Sequence, residues 1–139
     1  MSSPVDQPTA KERDAAFEAF NRGDYATLEK YLKRSLAWNL EAARDTFDRD
    51  VYIAGRKSHG SDPSETEIKG AKNLTDNIRL TFKVDAARNA NLLGKLLRIQ
   101  FKYEQALVYL RQAAELDPST TLYTMDVTMT EADIKRYST

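Results

Sequence analysis

The stretch that most constrains the fold is residues 91–118, NLLGKLLRIQFKYEQALVYLRQAAELDP, where small and large apolar residues recur at helical spacing. These residues form one face on each side of a corner at residues 101–103. They are Leu93, Gly94, Leu97, Ala106, Leu110 and Ala113. Pro118 ends the second segment, because proline has no amide hydrogen to continue a helix. The pattern predicts two helices packed as an antiparallel hairpin.

Length and composition limit what surrounds this hairpin. The chain has 139 residues, of which 41% are hydrophobic and 30% charged, the composition of one globular domain. Lys plus Arg equals Asp plus Glu at 21 each, so no net charge favours nucleic acid or an anionic membrane as a partner. Without cysteine, the sequence has neither disulfides nor thiolate metal ligands. No apolar run reaches the length of a membrane span, and we expect a cytoplasmic protein.

The remaining segments also favour helices. Residues 1–8 are predicted to be a flexible tail, and residues 9–139 a single domain. Thr9 and Asp24 are expected to cap a first and a second helix, separated by Gly23. The second helix either runs to about residue 54 or breaks near Trp38. Residues 55–64 are predicted to be a loop in which Asp62 caps the next helix.

Two segments allow a strand. Residues 78–84 and 123–129 alternate apolar with polar residues, the pattern of half-buried strands that could pair as a minor two-stranded sheet. Residues 68–82 also fit one helix, so both alternatives remain for the first segment. Asp85 is expected to cap the next helix, the first of the hairpin, and Thr130 with Asp133 is expected to start a short final helix.

Few residues carry catalytic chemistry. His59, the single histidine, lies in a Gly/Ser/Asp loop and is interpreted as a surface residue. Asp45, Asp48 and Asp50 are interpreted as a solvated helix face. We therefore expect no enzyme activity, no metal and no cofactor.

A polar stripe is the candidate binding site. Its residues follow one another at intervals of three, four and three along the first helix of the hairpin. They are Arg88, Asn91, Lys95 and Arg98. Such donors can hold carboxylates by charge-assisted hydrogen bonds. A solvated face that binds nothing is the other interpretation.

The hairpin resembles a tetratricopeptide (TPR) repeat. The resemblance covers residues 87–120 and includes the ending Ala-Glu-Leu-Asp-Pro at 114–118. It departs at Ala90, where the family has a large aromatic residue, and at residues 101–102, where Gly-Asp is common. Residues 23–25, Gly-Asp-Tyr, look like a second copy of the corner. The resemblance implies stacked hairpins whose first helices line a concave groove, and it places the polar stripe there.

A rival resemblance concerns the N-terminal stretch AFEAFNRGDYATLEKYL. It is similar to the opening helices of the NTF2-like (SnoaL-like) cone fold, which implies small-molecule binding or isomerase-type activity and long strands after Trp38. The chain is therefore predicted to be an all-α, TPR-like, non-enzymatic protein-interaction module that binds a protein or peptide, such as an acidic segment. An NTF2-like domain and a purely structural role are the alternatives.

Overall fold

The computed structural model describes residues 6–137, and all regular structure in that range is helical. The helices are α1 (Ala10–Asn21), α2 (Tyr25–Ala42), α3 (Arg49–Ser58), α4 (Glu65–Ile99), α5 (Tyr103–Leu116) and α6 (Thr121–Tyr137). The predicted all-α class is confirmed. The minor sheet is not present between residues 6 and 137, nor are the long strands of the NTF2-like cone. Of the predicted tail, residues 1–5 lie outside the described residues. No helix in the described range is both long and apolar enough to cross a membrane.

The first two helices form an antiparallel hairpin. Thr9 accepts a hydrogen bond from the Glu12 amide at 3.1 Å, and Asp24 accepts one from the Thr27 amide at 3.2 Å, so both predicted caps are confirmed. Between them Gly23 has φ +87°, a conformation that glycine adopts without strain. An edge-to-face contact of Phe17 with a tyrosine of α2 and an ion pair between Glu12 and Arg34 join the two helices.

The segment after α2 corrects three predicted boundaries. The second helix neither runs to residue 54 nor breaks at Trp38: it ends at Ala42, and α3 begins after Asp48, whose side chain caps it. The three aspartates therefore do not share one helix face. The next helix starts after Ser64, which accepts from the Glu67 amide at 3.2 Å, and Asp62 lies outside it. Serine and aspartate are equally good caps, so the sequence allowed both.

Helix α4 is continuous over 35 residues, about 52 Å. Of the two alternatives for residues 78–84, the helix is confirmed and the strand is wrong, and Asp85 lies inside the helix and caps nothing. The apolar residues of that segment point in different directions: Phe82 packs edge-to-face on half-buried Trp38, whereas Ile78 and Leu80 stay exposed. Their alternation therefore did not mark one buried face.

Helices α4 and α5 form the predicted hairpin, and its six inward residues are all buried, which confirms the packing. A Cβ on Gly94 would lie 2.5 Å from the Leu110 side chain and 3.1 Å from the Ala106 carbonyl oxygen. Glycine thus permits the close approach of the two helices. Phe101 forms the corner with φ +63° and is mostly exposed.

Helix α6 replaces both elements predicted for the C-terminal segment. The strand at residues 123–129 and the short helix after Thr130 are wrong, because one helix spans Thr121–Tyr137. Thr130 starts nothing: it is fully buried, and its hydroxyl donates to the Asp126 carbonyl oxygen at 2.8 Å. That internal bond satisfies its hydroxyl, so threonine is tolerated inside the helix. Helix α6 packs on α5 and reaches α4 through side chains.

Candidate functional site

The four residues of the polar stripe divide between two sides of α4. Asn91 and Arg98 point to α6, and Arg88 lines a groove between α4 and α1. Lys95 stands between the two, at the edge of the groove and 3.6 Å from Asp126 of α6. A helix turns 100° per residue, so positions three or four apart drift around the axis and need not share one neighbour. The structure therefore places Arg88 and Lys95 along the groove, and it also brings Lys95 together with Asn91 and Arg98 at α6.

The α6 side of the stripe already has acidic partners within the chain. The Asn91 amide donates to Asp126 at 2.9 Å, and Lys95 Nζ lies 3.6 Å from the same carboxylate. Arg98 donates twice to one oxygen of Asp133, at 2.6 and 3.1 Å. Asn91 is only 5% exposed. Asn91 and Arg98 therefore hold α6 against α4.

The groove between α1, α2 and α4, called here the α1–α4 groove, is wide at the end where Arg13 and Arg88 stand. That part encloses about 440 Å³, with walls that include Trp38 and Tyr31. The side chains of Arg13 and Arg88 are 53% and 66% exposed. Their ion pairs are local and solvated, Arg13 with Asp14 at 3.2 Å and Arg88 with Asp85 at 3.5 Å, and such pairs hold weakly. Both guanidinium groups can thus exchange partners.

Three uncharged polar side chains join α2 and α4 beside these arginines. The Ser35 hydroxyl donates to Asn89 Oδ1 at 3.1 Å, and Asn39 Nδ2 donates to the same oxygen at 2.8 Å. Asn39 is 6% exposed, and a buried amide is costly unless it is hydrogen-bonded. This cluster fixes the wall of the wide part of the groove.

The other end of the α1–α4 groove is apolar. It encloses about 230 Å³ between α1 and α4. Its apolar lining residues are Phe17, Phe20, Leu28, Leu32, Leu92, Leu96 and Ile99. Phe17 and Leu92 also line the wide end, so the two parts are continuous. Lys95 stands at the edge with its side chain 53% exposed. The groove therefore combines an apolar floor with cations at its rim.

Two further polar side chains, Tyr123 and His59, lie outside the α1–α4 groove. Burial raises the pKa of the Tyr123 phenol on α6 above its ordinary value. His59 is exposed, as predicted, and its Nδ1 lies 2.9 Å from the Gly55 carbonyl oxygen.

The sequence prediction did not include Arg13, Phe17, Leu92 or Ile99 in the groove. A signal existed for two of them, because 88, 92, 95 and 99 are also spaced by four, three and four along one helix face. Leu92 and Ile99 are 36% and 52% exposed, although they lie on the part of α4 that forms the core. For Arg13 and Phe17 the chain carries no local signal, since they join the groove only when α1 packs beside α4.

Comparison of the sequence with known proteins assigns no family to the chain. The chain matches no protein-family model, and no curated protein has significant sequence similarity to it.

Proposed function

We propose that the chain is a non-enzymatic protein-interaction module of TPR-like stacked hairpins, whose α1–α4 groove binds an acidic segment of a partner protein. The observation that carries the binding proposal is the groove itself. Three exposed cations, Arg13, Arg88 and Lys95, stand along the rim of a floor that exposes Phe17 and Leu92. An acidic segment with an apolar side chain matches this surface in charge and in polarity.

The repeat architecture has support in its two corners. Gly23 and Phe101 both have positive φ, and each is followed two residues later by the tyrosine that begins the next helix. In both corners the amide two residues after the C-cap returns to the last turn of the helix, Asp24 to the Ala19 oxygen and Lys102 to the Leu97 oxygen. Helix α3 ends with the same bond, from the Ser61 amide to the Arg56 oxygen, since this is a common helix ending. The feature that the two corners share beyond it is the tyrosine that begins the next helix.

The number of residues that separates bonded positions on α4 and α6 is further support for the repeat architecture. Asn91 bonds to Asp126 and Arg98 bonds to Asp133, so each contact joins residues 35 positions apart. A constant offset means that the two helices run parallel in register. The offset is close to the TPR period of about 34 residues. Helix α6 thus takes the position of the first helix of a following repeat.

Fluorescence anisotropy with defined peptides tests the binding proposal. The probe is a short fluorescein-labelled peptide of Asp, Glu and Leu, and its control has Asn and Gln in place of the acids. We expect the acidic peptide to bind and the neutral one to bind much less. The double variant R88E/K95E should weaken binding by about tenfold or more, because it reverses both rim charges of α4.

The matched control is R111E, which reverses an equally exposed arginine on α5, outside the groove. Arg98 is unsuitable as a test, because its reversal would break the short contact with Asp133 and release α6. Lys95 has a longer contact of 3.6 Å with Asp126, and Asn91 holds the same carboxylate. Equal affinity of the acidic and neutral peptides, or unchanged affinity in R88E/K95E, would refute binding at the groove. Circular dichroism of each variant checks that the helices remain.

A further inference from the structure

Helix α4 carries one exposed stripe along most of its length, called here the α4 seam. Its residues alternate at intervals of four and three, the heptad spacing of a coiled-coil interface. They are Leu74, Ile78, Thr81, Asp85, Arg88, Leu92, Lys95 and Ile99. Four are large apolar residues, and their exposed fractions run from 36% to 61%. A stripe of this kind on a continuous helix has the form of a helix-pairing surface.

The two ends of the seam have different surroundings. Its C-terminal end forms the floor and rim of the α1–α4 groove, through Arg88, Leu92, Lys95 and Ile99. Its N-terminal end lies on residues 65–78 of α4, called here the arm. The arm ends just before Arg79, whose side chain donates a hydrogen bond to the carbonyl oxygen of Ala43, the C-cap of α2. The arm is about 21 Å long. The chain thus presents an exposed helical arm and a groove in which a helix can contact the same seam.

The order of residues along the seam is self-complementary. If a second α4 lies antiparallel, with its twofold axis between Ala86 and Ala87, each seam position meets its mirror position. Asp85 then faces Arg88 of the second copy, and Leu74 faces Ile99. In the next layers Thr81 faces Leu92, and Ile78 faces Lys95, whose aliphatic stem can cover it. Opposite charges meet at the centre, and apolar residues meet at both ends.

The opposite orientation is unfavourable. In a parallel, in-register pair every seam residue meets itself, so Asp85 faces Asp85 and Arg88 faces Arg88. Like charges directly opposed in a helical interface are repulsive and set the orientation. The pair of Asp85 and Arg88 within one chain, 3.5 Å apart and exposed, is weak enough to be exchanged for contacts across the dimer.

We infer that the α4 seam is a homodimerisation surface, on which the arm of each copy lies in the α1–α4 groove of the other. This inference rests on the groove of the proposed function and names a second occupant for it. Self-association would cover Arg88, Lys95 and the apolar floor. Dimer formation and binding of an acidic segment would then compete.

The test is the dimer dissociation constant of the full chain, measured by sedimentation equilibrium. L74K places a charge on the arm, and L80K places the same charge on an equally exposed position of α4 outside the seam. We expect a concentration-dependent dimer, a dissociation constant raised about tenfold or more by L74K, and little change with L80K. D85R should also dissociate the dimer, and D85R/R88D should restore it, because the exchanged charges pair again.

Orientation is tested by crosslinking, since the chain has no cysteine of its own. In the antiparallel dimer, L74C alone gives no disulfide, because the two copies of residue 74 are about 37 Å apart. A mixture of L74C and I99C chains gives a disulfide-linked pair. Crosslinking of L74C alone would refute the antiparallel seam.

Other outcomes separate this inference from the proposed function. A wild-type chain that stays monomeric, or a dimer that L74K and D85R leave unchanged, would overturn the inference even if the acidic peptide binds. A dimer that responds as expected, combined with an L74K monomer that fails to bind the acidic peptide, would retain the inference and refute the peptide-binding proposal. Circular dichroism of L74K confirms folding, which the exposed position of Leu74 favours.

Discussion

The two parts of α4 belong to one helix but have different relations to the rest of the protein. In residues 79–99, called here the body part, eight residues are buried between α2, α5 and α6. In the arm only Ile68 is buried. Its ion pairs to another helix are with α3, Arg49 with Glu65 and Arg56 with Glu67. Exposed ion pairs contribute little, whereas buried apolar area contributes most of the stability. Continuous secondary structure therefore does not imply uniform stability.

The largest difference between the two parts should appear in amide hydrogen exchange. Amides of the arm can exchange through local opening, whereas those of the body part require opening of the core. We expect exchange at Leu74 to be at least about 100-fold faster than at Leu97, measured by NMR at low protein concentration. Equal protection of the Leu74 and Leu97 amides would contradict the difference in local stability between the arm and the body part. At high concentration the arm should gain protection if the dimer forms.

Truncation of a leucine in each part should have unequal effects. Leu97 is 2% exposed, and L97A should lower the free energy of unfolding by about 3 kcal/mol through lost burial and a cavity. Leu74 is 61% exposed, so L74A should change it by less than about 0.5 kcal/mol. Urea unfolding of dilute protein, followed by circular dichroism, measures both. A costly L74A in the monomer would show that the arm is packed.

Replacement of glycine by alanine should change the free energy of unfolding in opposite directions in the two parts of α4. In G94A the new Cβ would meet Leu110, which is fully buried, and overpacking outweighs the gain in helix propensity. We expect a net loss of about 1 to 2 kcal/mol. In G70A no atom lies within 4 Å of the new Cβ, so we expect a gain of about 0.5 to 1 kcal/mol. Thermal unfolding of the two variants measures both changes in stability. A change in the same direction for G94A and G70A would contradict the prediction.

The smallest expected effect concerns the corner that ends the body part. Phe101 has φ +63° and is 77% exposed, so its left-handed conformation has a cost that glycine avoids. F101G also loses an edge-to-face contact with Tyr103. We expect a net gain of about 0.5 kcal/mol in the free energy of unfolding. In the other corner, G23A should lose stability, since the φ of Gly23 is also positive. A G23A variant as stable as the wild type would contradict the positive φ that the two corners share.

The sequence was sufficient to predict helices, their caps and their buried faces where local signals and packing agreed. Residues 91–118 place six apolar residues on two facing helices, and all six are buried. Thr9 and Asp24 are followed by good helices and cap them. The sequence was insufficient at Asp85, because an aspartate within a helix and one before a helix look the same when the preceding residues fit a strand.

The candidate site depended on contacts between distant parts of the chain. Spacing put Arg88, Asn91, Lys95 and Arg98 on one stripe, which the structure divides between the α1–α4 groove and α6. It could not show that Asp126 and Asp133 of α6 accept hydrogen bonds from Asn91 and Arg98, because each acid lies 35 residues further along the chain. Nor could it place Arg13 beside Arg88. Which polar residues remain available to a partner is a property of the packed helices.

The position of Lys95 between two surfaces makes the protein sensitive to ionic strength. Lys95 lies 3.6 Å from Asp126 with its side chain 53% exposed, whereas Arg98 and Asp133 are only 24% and 20% exposed. Added salt screens exposed pairs most, with a Debye length of about 10 Å at 0.1 M and about 3 Å at 1 M. Increasing salt should therefore release Lys95 from α6 before it loosens Arg98. The same ions that detach Lys95 from its internal partner also shield it from an external one.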